Sequence, residues 1–186
     1  MYYIAKLKDT VKIPPQYFNE PLERIALEFL RKKYEGLVDL DLGIVVAVLN
    51  VNISPIGRII HGDGASYHDV TFEALTYLPI IQEVVEGEVV EVTDFGVFVR
   101  LGPVDGLIHV SQIMDDYIVY DKRREALQGK ETNKIIKKGD IVRARIVTVS
   151  LSTKSIKIGL TMRQPFLGVL SWIEEYMKKL NEDRGK

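Results

Sequence analysis

The sequence predicts two units in series: an α+β unit of one helix on an antiparallel sheet over residues 1–79, then over 80–186 a small all-β barrel with a C-terminal helix. Three observations carry this. From Asn19 to Tyr34 the residues Leu22, Ile25, Ala26, Phe29 and Leu30 recur at helical spacing between alternating, strand-like runs. Between Gly87 and Arg163 several short β-rich runs are bounded by Gly, Asp or Ser clusters, as in a small sandwich or barrel. After Gln164-Pro165, the residues Leu167, Leu170, Ile173, Met177 and Leu180 share one helical face, so a helix is predicted to open at that Pro.

Each element follows from its residues. Tyr2–Ile13 alternates as a strand and Pro14-Pro15 ends it. Pro21 suits the first turn of the helix and Gly36 its stop. Val38, Leu40 and Leu42 alternate, Ile44–Ile53 is nearly all apolar, Ser54-Pro55-Ile56-Gly57 turns, and a last strand runs from about His68 to Leu78. That gives about four strands. In the second unit Val89, Glu91 and Thr93 alternate with Val90 and Val92, and the strand resumes over Val97–Leu101 after Asp94-Phe95-Gly96. Leu107–Val110, Ile141–Val149 and Ile156–Met162 complete a five-stranded barrel, with a polar insert before Ile141. Phe95 and Phe98 are three apart, which strict alternation places on opposite faces; a bulge at Gly96 would bring both rings to one face. The alternative is that one ring fills the barrel interior.

Charge is distributed unevenly. The net charge is −1, yet residues 83–121 hold nine acidic and one basic side chain, whereas 122–163 hold twelve basic and three acidic. Arg143, Arg145, Lys154, Lys157 and Arg163, on adjacent predicted strands, would attract phosphates in a salt-dependent way. Lys122-Arg123-Arg124 reads as part of a solvated, mixed-charge surface.

Other chemistry finds little support. Cysteine is absent, which excludes a disulfide framework and thiolate metal sites. His61, His68 and His109 lack the spacing of a ligand set, so no metal and no cofactor are expected. His61–Ser66 contains Gly62-Asp63-Gly64 but does not lead from a strand into a helix, so it reads as a turn and not a phosphate cradle. Asp115-Asp116 and Glu174-Glu175 have no His, Lys or Ser at motif spacing and read as solvated surface; no catalytic residue is assigned. No apolar run approaches the roughly 20 residues of a membrane span, and nothing resembles a signal peptide, so a soluble intracellular protein without membrane contact is expected.

The phrase DFGVFVRLGPVDGLIHVSQ fixes two aromatics, three glycines and a histidine in order, and the stretch from Glu83 to Arg163 resembles the S-one RNA-binding domain. The resemblance implies an OB-fold barrel on which Phe95, Phe98 and His109 stack unpaired bases, with Arg100 beside them. Where many such domains carry an Asp and an Arg near residues 150–157, this chain offers Ser152, Lys154 and Lys157. The first unit, through KKYEGLVDLDLGIVVAVLNV and PIGRIIHGDGASYHDVTFEALTYLPIIQEVVEGEV, resembles the tip domain of RNA polymerase stalk subunits, and LTMRQPFLG resembles their archaeal form. That family comprises the archaeal E-prime polypeptide and the seventh subunit of eukaryotic polymerase II.

The resemblance implies a non-catalytic subunit of DNA-directed RNA polymerase acting in transcription initiation. Its tip domain would dock on the polymerase core, its barrel would face nascent single-stranded RNA, and a smaller helical stalk subunit, the archaeal F polypeptide, would bind along the junction of the two domains. Core docking is assigned to the loop Ser54–Ala65, through Pro55, Gly57, Gly62, Asp63 and Gly64, because binding loops commonly expose backbone on a rigid sheet. The expected location is the cytoplasm of an archaeon, or the nucleus of a eukaryote. Two rivals stay open: an S-one factor of translation or the exosome, and a scaffold whose aromatic face meets protein and not RNA.

Overall fold

Among residues 1–152 and 155–184, which the computed structural model describes, the chain divides into a first unit, residues 1–78 with 151–152 and 155, and a second made of residues 79–150 and 156–184. The first contains β1 (Tyr2–Ile13), α1 (Leu22–Tyr34), β2 (Val38–Asp39), β3 (Gly43–Ile53), β4 (Arg58–Ile59) and β5 (Ser66–Tyr77). The antiparallel sheet has the order β1-β5-β3-β2, with the short β4 also on β5. Strands β1 and β5 pair without interruption from Tyr2↔Tyr77 to Ile13↔Ser66. Helix α1 lies on this sheet, burying Ile25, Ala26 and Leu30 against Val11, Ile13, Val45, Val48 and Phe72.

Local chemistry sets where these elements start and stop. The helix begins at Leu22, not Asn19, because Pro21 is its N-cap and Pro15–Tyr17 forms a separate 3-10 turn. Glu23 in its first turn and Arg31, Lys32 and Lys33 in its last complement the helix dipole. It ends where the Glu35 N–H reaches the Arg31 carbonyl and Gly36 turns to φ +83°. The alternation of Val38, Leu40 and Leu42 yields a strand only over Val38–Asp39, since the Asp39 carboxylate accepts the Asp41 and Leu42 N–H groups at 2.9 and 3.0 Å and folds the chain into a turn. Strand β3 slips register between Val45 and Ala47 and between Val48 and Val51, and Glu35 Oε1 accepts the Val48 N–H at 3.0 Å.

The second unit contains β6 (Val84–Val92), β7 (Gly96–Arg100), β8 (Asp105–His109), β9 (Ile118–Asp121), β10 (Ala126–Gly129), β11 (Ile135–Lys137), β12 (Ile141–Ser152), β13 (Ser155–Thr161), β14 (Gly168–Val169) and α2 (Leu170–Arg184). Five of these strands close a ring, β12-β6-β7-β8-β13 and back to β12, in which β13 runs parallel to β8. The fold is the expected OB-type barrel. Its interior is filled by Val89, Val97, Val99, Ile108, Val142, Ala144, Ile146, Ile158 and Leu160.

Two features depart from expectation. The polar insert is a three-stranded antiparallel sheet, β11-β10-β9, around buried Leu127 and Ile136; strands of three and four residues are too short to show alternation. Helix α2 opens at Leu170 and not at Pro165. Phe166 at φ +63° and Gly168 at φ +133° are incompatible with a helix, and Gly168–Val169 pair with Arg143 and Val142 on β12.

Phe72 is the largest fully buried side chain of the first unit's core. It is 1% exposed and its ring centroid lies 5.0 Å from that of Tyr34. Phe72→Ala is expected to destabilise the chain by about 3–5 kcal/mol in urea unfolding, the range for emptying a packed aromatic site.

Candidate nucleic-acid interface

Strand parity determines the outer surface of the barrel. Val97 and Val99 on β7 and Gly106 and Ile108 on β8 are buried, so Phe98 and Arg100 point outward beside Asp105, Leu107 and His109. The register sets Phe98 opposite both Leu107 and Glu91, and Leu107 opposite Gly159. Glu91, Phe98, Leu107 and Gly159 therefore cross the sheet in one row. This row floors a groove of ≈ 710 Å³ whose remaining walls include Thr148, Ile156 and Lys157. A Cβ on Gly159 would lie 2.2 Å from Thr148 Oγ1, so the glycine lets the Thr148 hydroxyl approach this point of the row.

Phe95 joins the row by a route other than a bulge at Gly96. The register slip lies on β6, between Val89 and Glu91, whereas Phe95 sits in the β6–β7 turn. That turn is closed by Gly96 O, which accepts from both the Thr93 N–H and Oγ1 at 2.8 Å, and by Phe95 O, which accepts the Val110 N–H at 2.8 Å. Gly96 is required by close approach: a Cβ there would lie 2.2 Å from Ile108 O. The Phe95 ring, 45% exposed, then meets Phe98 edge-on at 6.0 Å and 87°. Neither ring fills the interior.

His109 caps the 3-10 turn Val110–Gln112. Its Nδ1 accepts the Ser111 N–H at 3.3 Å and lies 2.9 Å from Ser111 Oγ. A backbone N–H only donates, so the neutral ring carries its proton on Nε2.

The basic residues are less gathered than expected. Arg143 contacts Glu86 Oε1 at 2.7 Å through both Nε and Nη2, and Arg100 Nε stands 3.9 Å from Asp105 Oδ1. Arg145 donates to Gln82 O at 3.4 Å, and its Nε is buried without a hydrogen-bond partner. Arg163 pairs with Asp115 and reaches Ser111 O. Lys157 lines the groove together with Glu91 and Asp105, while Lys154 lies outside the described residues. The structure thus brings together Phe95, Phe98 and Lys157, with His109 along the same strand as Leu107. Leu107, Thr148 and Ile156 went unassigned from sequence, although the alternation of Leu107 with buried Ile108 carried the signal.

Asp115 and Asp116, expected as solvated surface, hold structure, whereas Glu174 and Glu175 are exposed. Asp115 holds Arg163, and Asp116 accepts the Thr132 N–H at 2.9 Å, the Thr132 hydroxyl at 2.7 Å and the Glu131 N–H at 3.1 Å; these bonds lower its pKa. Among the described residues no group of three or more His, Asp or Glu is arranged to hold a metal ion, and no helix is long and apolar enough to cross a membrane.

The loop between β3 and β5 has a built frame. Buried His68 lies with Nδ1 2.8 Å from Ser54 O, so Nδ1 carries the proton, and Nε2 3.1 Å from Ser66 Oγ. A Cβ on Gly57 would come 2.5 Å from that ring, which explains the glycine. Pro55 is exposed beside it, and Gly62 adopts φ +86° with open space around it. Gly64 packs on Pro15. Asp63 accepts from Lys12 Nζ and Tyr67 Oη, both at 2.6 Å, and from the Ala65 N–H at 3.3 Å. Beside exposed Arg58, which pairs with Asp69 at 3.0 Å, and exposed His61, the loop offers solvent three apolar side chains: Ile56, Ile59 and Ile60 are 81%, 73% and 52% exposed. These three were missed because sequence reasoning attended to the glycines that shape the loop and not to the side chains it displays.

The Lys12 ammonium, then the Tyr67 hydroxyl, hold the Asp63 carboxyl at about 2, below its usual 3.8. A carboxylate lowered on folding adds stability above its unfolded value and loses it as pH falls through the folded one. The Tm difference between the parent chain and Asp63→Asn is therefore expected to be constant above about pH 5 and to shrink as pH falls from about 4 towards 2. A difference that does not vary with pH would remove the Lys12–Asp63–Tyr67 clamp as its source.

Residues 8–64 match the family described as SHS2 domain found in N terminus of Rpb7p/Rpc25p/MJ0397, and residues 78–160 match the S1 RNA binding domain. DNA-directed RNA polymerase II subunit rpb7 of Schizosaccharomyces pombe is 26% identical over 171 residues, 91% of this chain and 99% of that protein. Ribonuclease R of Vibrio cholerae serotype O1 is 38% identical over 78 residues, which is 41% of this chain and 10% of that enzyme. DNA-directed RNA polymerase subunit Rpo7 of Saccharolobus shibatae is 49% identical over 180 residues, covering 96% of this chain and 100% of that protein. With both domain types in order and a match of that depth from end to end, the chain belongs to the Rpo7 family of DNA-directed RNA polymerase subunits.

Proposed function

We propose that this chain is a non-catalytic stalk subunit of DNA-directed RNA polymerase that acts in transcription initiation and holds nascent single-stranded RNA on its OB-fold face. The observation that carries the RNA reading is the outward row of Phe98 and Leu107 with Phe95 beside it, planar and apolar surface where buried packing would not place it. Unpaired bases stack on such rings without sequence preference, at about 1–3 kcal/mol per base. A factor of translation or the exosome that shares only the barrel would not carry the SHS2 domain matched by residues 8–64.

On this reading nucleotidyl transfer belongs to other chains of the polymerase, and the acids here hold structure: Asp115 to Arg163, Asp116 to the turn at Thr132. Ile56, Ile59 and Ile60 on the framed loop supply the apolar contact for the polymerase core, and the smaller helical stalk subunit is the heterodimer partner. The relatives at 45–49% identity are archaeal, which supports a cytoplasmic setting.

Phe95→Ala with Phe98→Ala is expected to weaken binding of single-stranded RNA by about 1–3 kcal/mol for each base that no longer stacks. Unchanged affinity and crosslinking in a folded double variant would instead favour the scaffold reading.

Ile56→Ser with Ile59→Ser should leave the fold within about 0.5 kcal/mol, as for exposed positions generally, while reducing capture of core polymerase by the chain co-expressed with its smaller stalk partner. Full capture would remove the docking assignment.

A further inference from the structure

The barrel groove holds little free positive charge, because Arg100 and Arg143 are matched by Asp105 and Glu86, and Glu91 and Asp105 line the groove beside Lys157. The chain's cationic surplus lies elsewhere. Residues 122–138 contain seven basic and two acidic side chains, and they form β10, β11 and the turns that join them to each other and to β9. Aromatic rings gather at the same place. Of the exposed aromatic residues described in the second unit, Tyr117, Phe166 and Tyr176 are 69%, 47% and 50% exposed and lie beside the insert or the start of α2, whereas Phe95 belongs to the groove face.

The turn Gly129–Lys134 joins the two features. Its ends are tied by the Gly129 N–H to Lys134 O at 3.0 Å, and Asp116 fills its inside, accepting the Glu131 and Thr132 N–H groups. Each end of this turn presents a lysine to an aromatic face: Lys130 Nζ stands 4.5 Å from the Tyr117 ring centroid, and Lys134 Nζ 5.3 Å from that of Trp172. Beyond Trp172 a cleft of ≈ 300 Å³ is walled by Lys134, Phe166, Leu167, Ile173 and Tyr176, with Phe166 and Tyr176 edge-on at 5.7 Å. Phe166 has φ +63°, a backbone that bulky residues rarely adopt, and its ring is still turned to solvent. Strained positions of this kind gather at ligand sites.

We propose that the Gly129–Lys134 turn, with Tyr117 on one side and Trp172 and its cleft on the other, is a second contact surface for single-stranded RNA. The inference rests on the RNA reading of the barrel and extends it. Planar bases stack on Tyr117 or enter the cleft, and phosphates meet Lys130 and Lys134. The groove supplies stacking, and this turn supplies most of the attraction for the sugar–phosphate chain. An acidic protein partner would meet the lysines equally but would have no use for two separated rings, Tyr117 and Trp172, each paired with a cation.

The test is binding of a labelled single-stranded oligouridylate to the full chain across a salt series. Lys130→Gln with Lys134→Gln is expected to make the dependence of log K on log salt shallower by about 1.4, from about 0.7 per phosphate contact on a single strand. Tyr117→Ala is expected to weaken binding by roughly fivefold or more, and Phe98→Ala to weaken it without changing the salt slope. Ultraviolet crosslinking of the same RNA to the unaltered chain should yield adducts on peptides containing Tyr117 or Trp172, a readout that stands even if a variant fails to fold. Unchanged slope and affinity in the lysine variant, with Phe98→Ala still impaired and crosslinks confined to the groove, would overturn this surface and leave the groove standing. Unchanged binding in every variant would overturn both. Loss of an acidic protein partner with RNA binding intact would also overturn it.

Discussion

Closure of the barrel through β13, bonded to β8 on one side and to β12 on the other, is the constraint on which the second unit depends. A five-stranded sheet left open would expose unpaired edges and let each strand slip in register. With the ring closed, the two-residue period of each strand is locked, and Val97, Val99, Ile108, Ile158 and Leu160 of β7, β8 and β13 fill the interior. Phe98 and Leu107 then have nowhere to go but outward, although both are apolar. Their exposure is therefore a consequence of topology, and the free energy that holds it comes from the buried side of the same strands.

Much of this was legible in the sequence because it depends on short-range pattern. The run Val97–Leu101 was expected as a strand, and its buried members Val97, Val99 and Leu101 alternate with Phe98 and Arg100. The meeting of Phe95 and Phe98 was also expected, but its mechanism was not. Alternation says nothing about a turn whose shape is set by Gly96 approaching Ile108 across the sheet. The strand predicted through Leu42 stops at Asp39 because the Asp39 side chain offered the backbone a competing partner, and the C-terminal helix predicted from Pro165 starts only at Leu170 because β14 claims Gly168 and Val169 for the edge of β12. In each case the decisive contact is one that periodicity does not register.

Electrostatics was the least legible layer. The expected basic face of Arg143, Arg145 and Lys157 was inferred from strand neighbours, but cross-strand pairing matched Arg143 with Glu86. Charges opposite one another on adjacent strands are drawn together whatever larger field their sum suggests. The net excess of a segment is therefore a poor guide to where unpaired charge sits, and the register has to be known first.

The buried His68 that holds Ser54 and Ser66 and leaves room only for Gly57 has a thermodynamic meaning for association. Ordering a flexible loop costs about 1–2 kcal/mol of backbone entropy per residue, and a loop that orders on contact subtracts that cost from its affinity. Here the imidazole and the Asp63 clamp fix the chain while it folds. A partner docking on the isoleucines they frame would meet a preorganised surface, and the strength of that encounter would reflect shape and apolar area without a folding penalty attached.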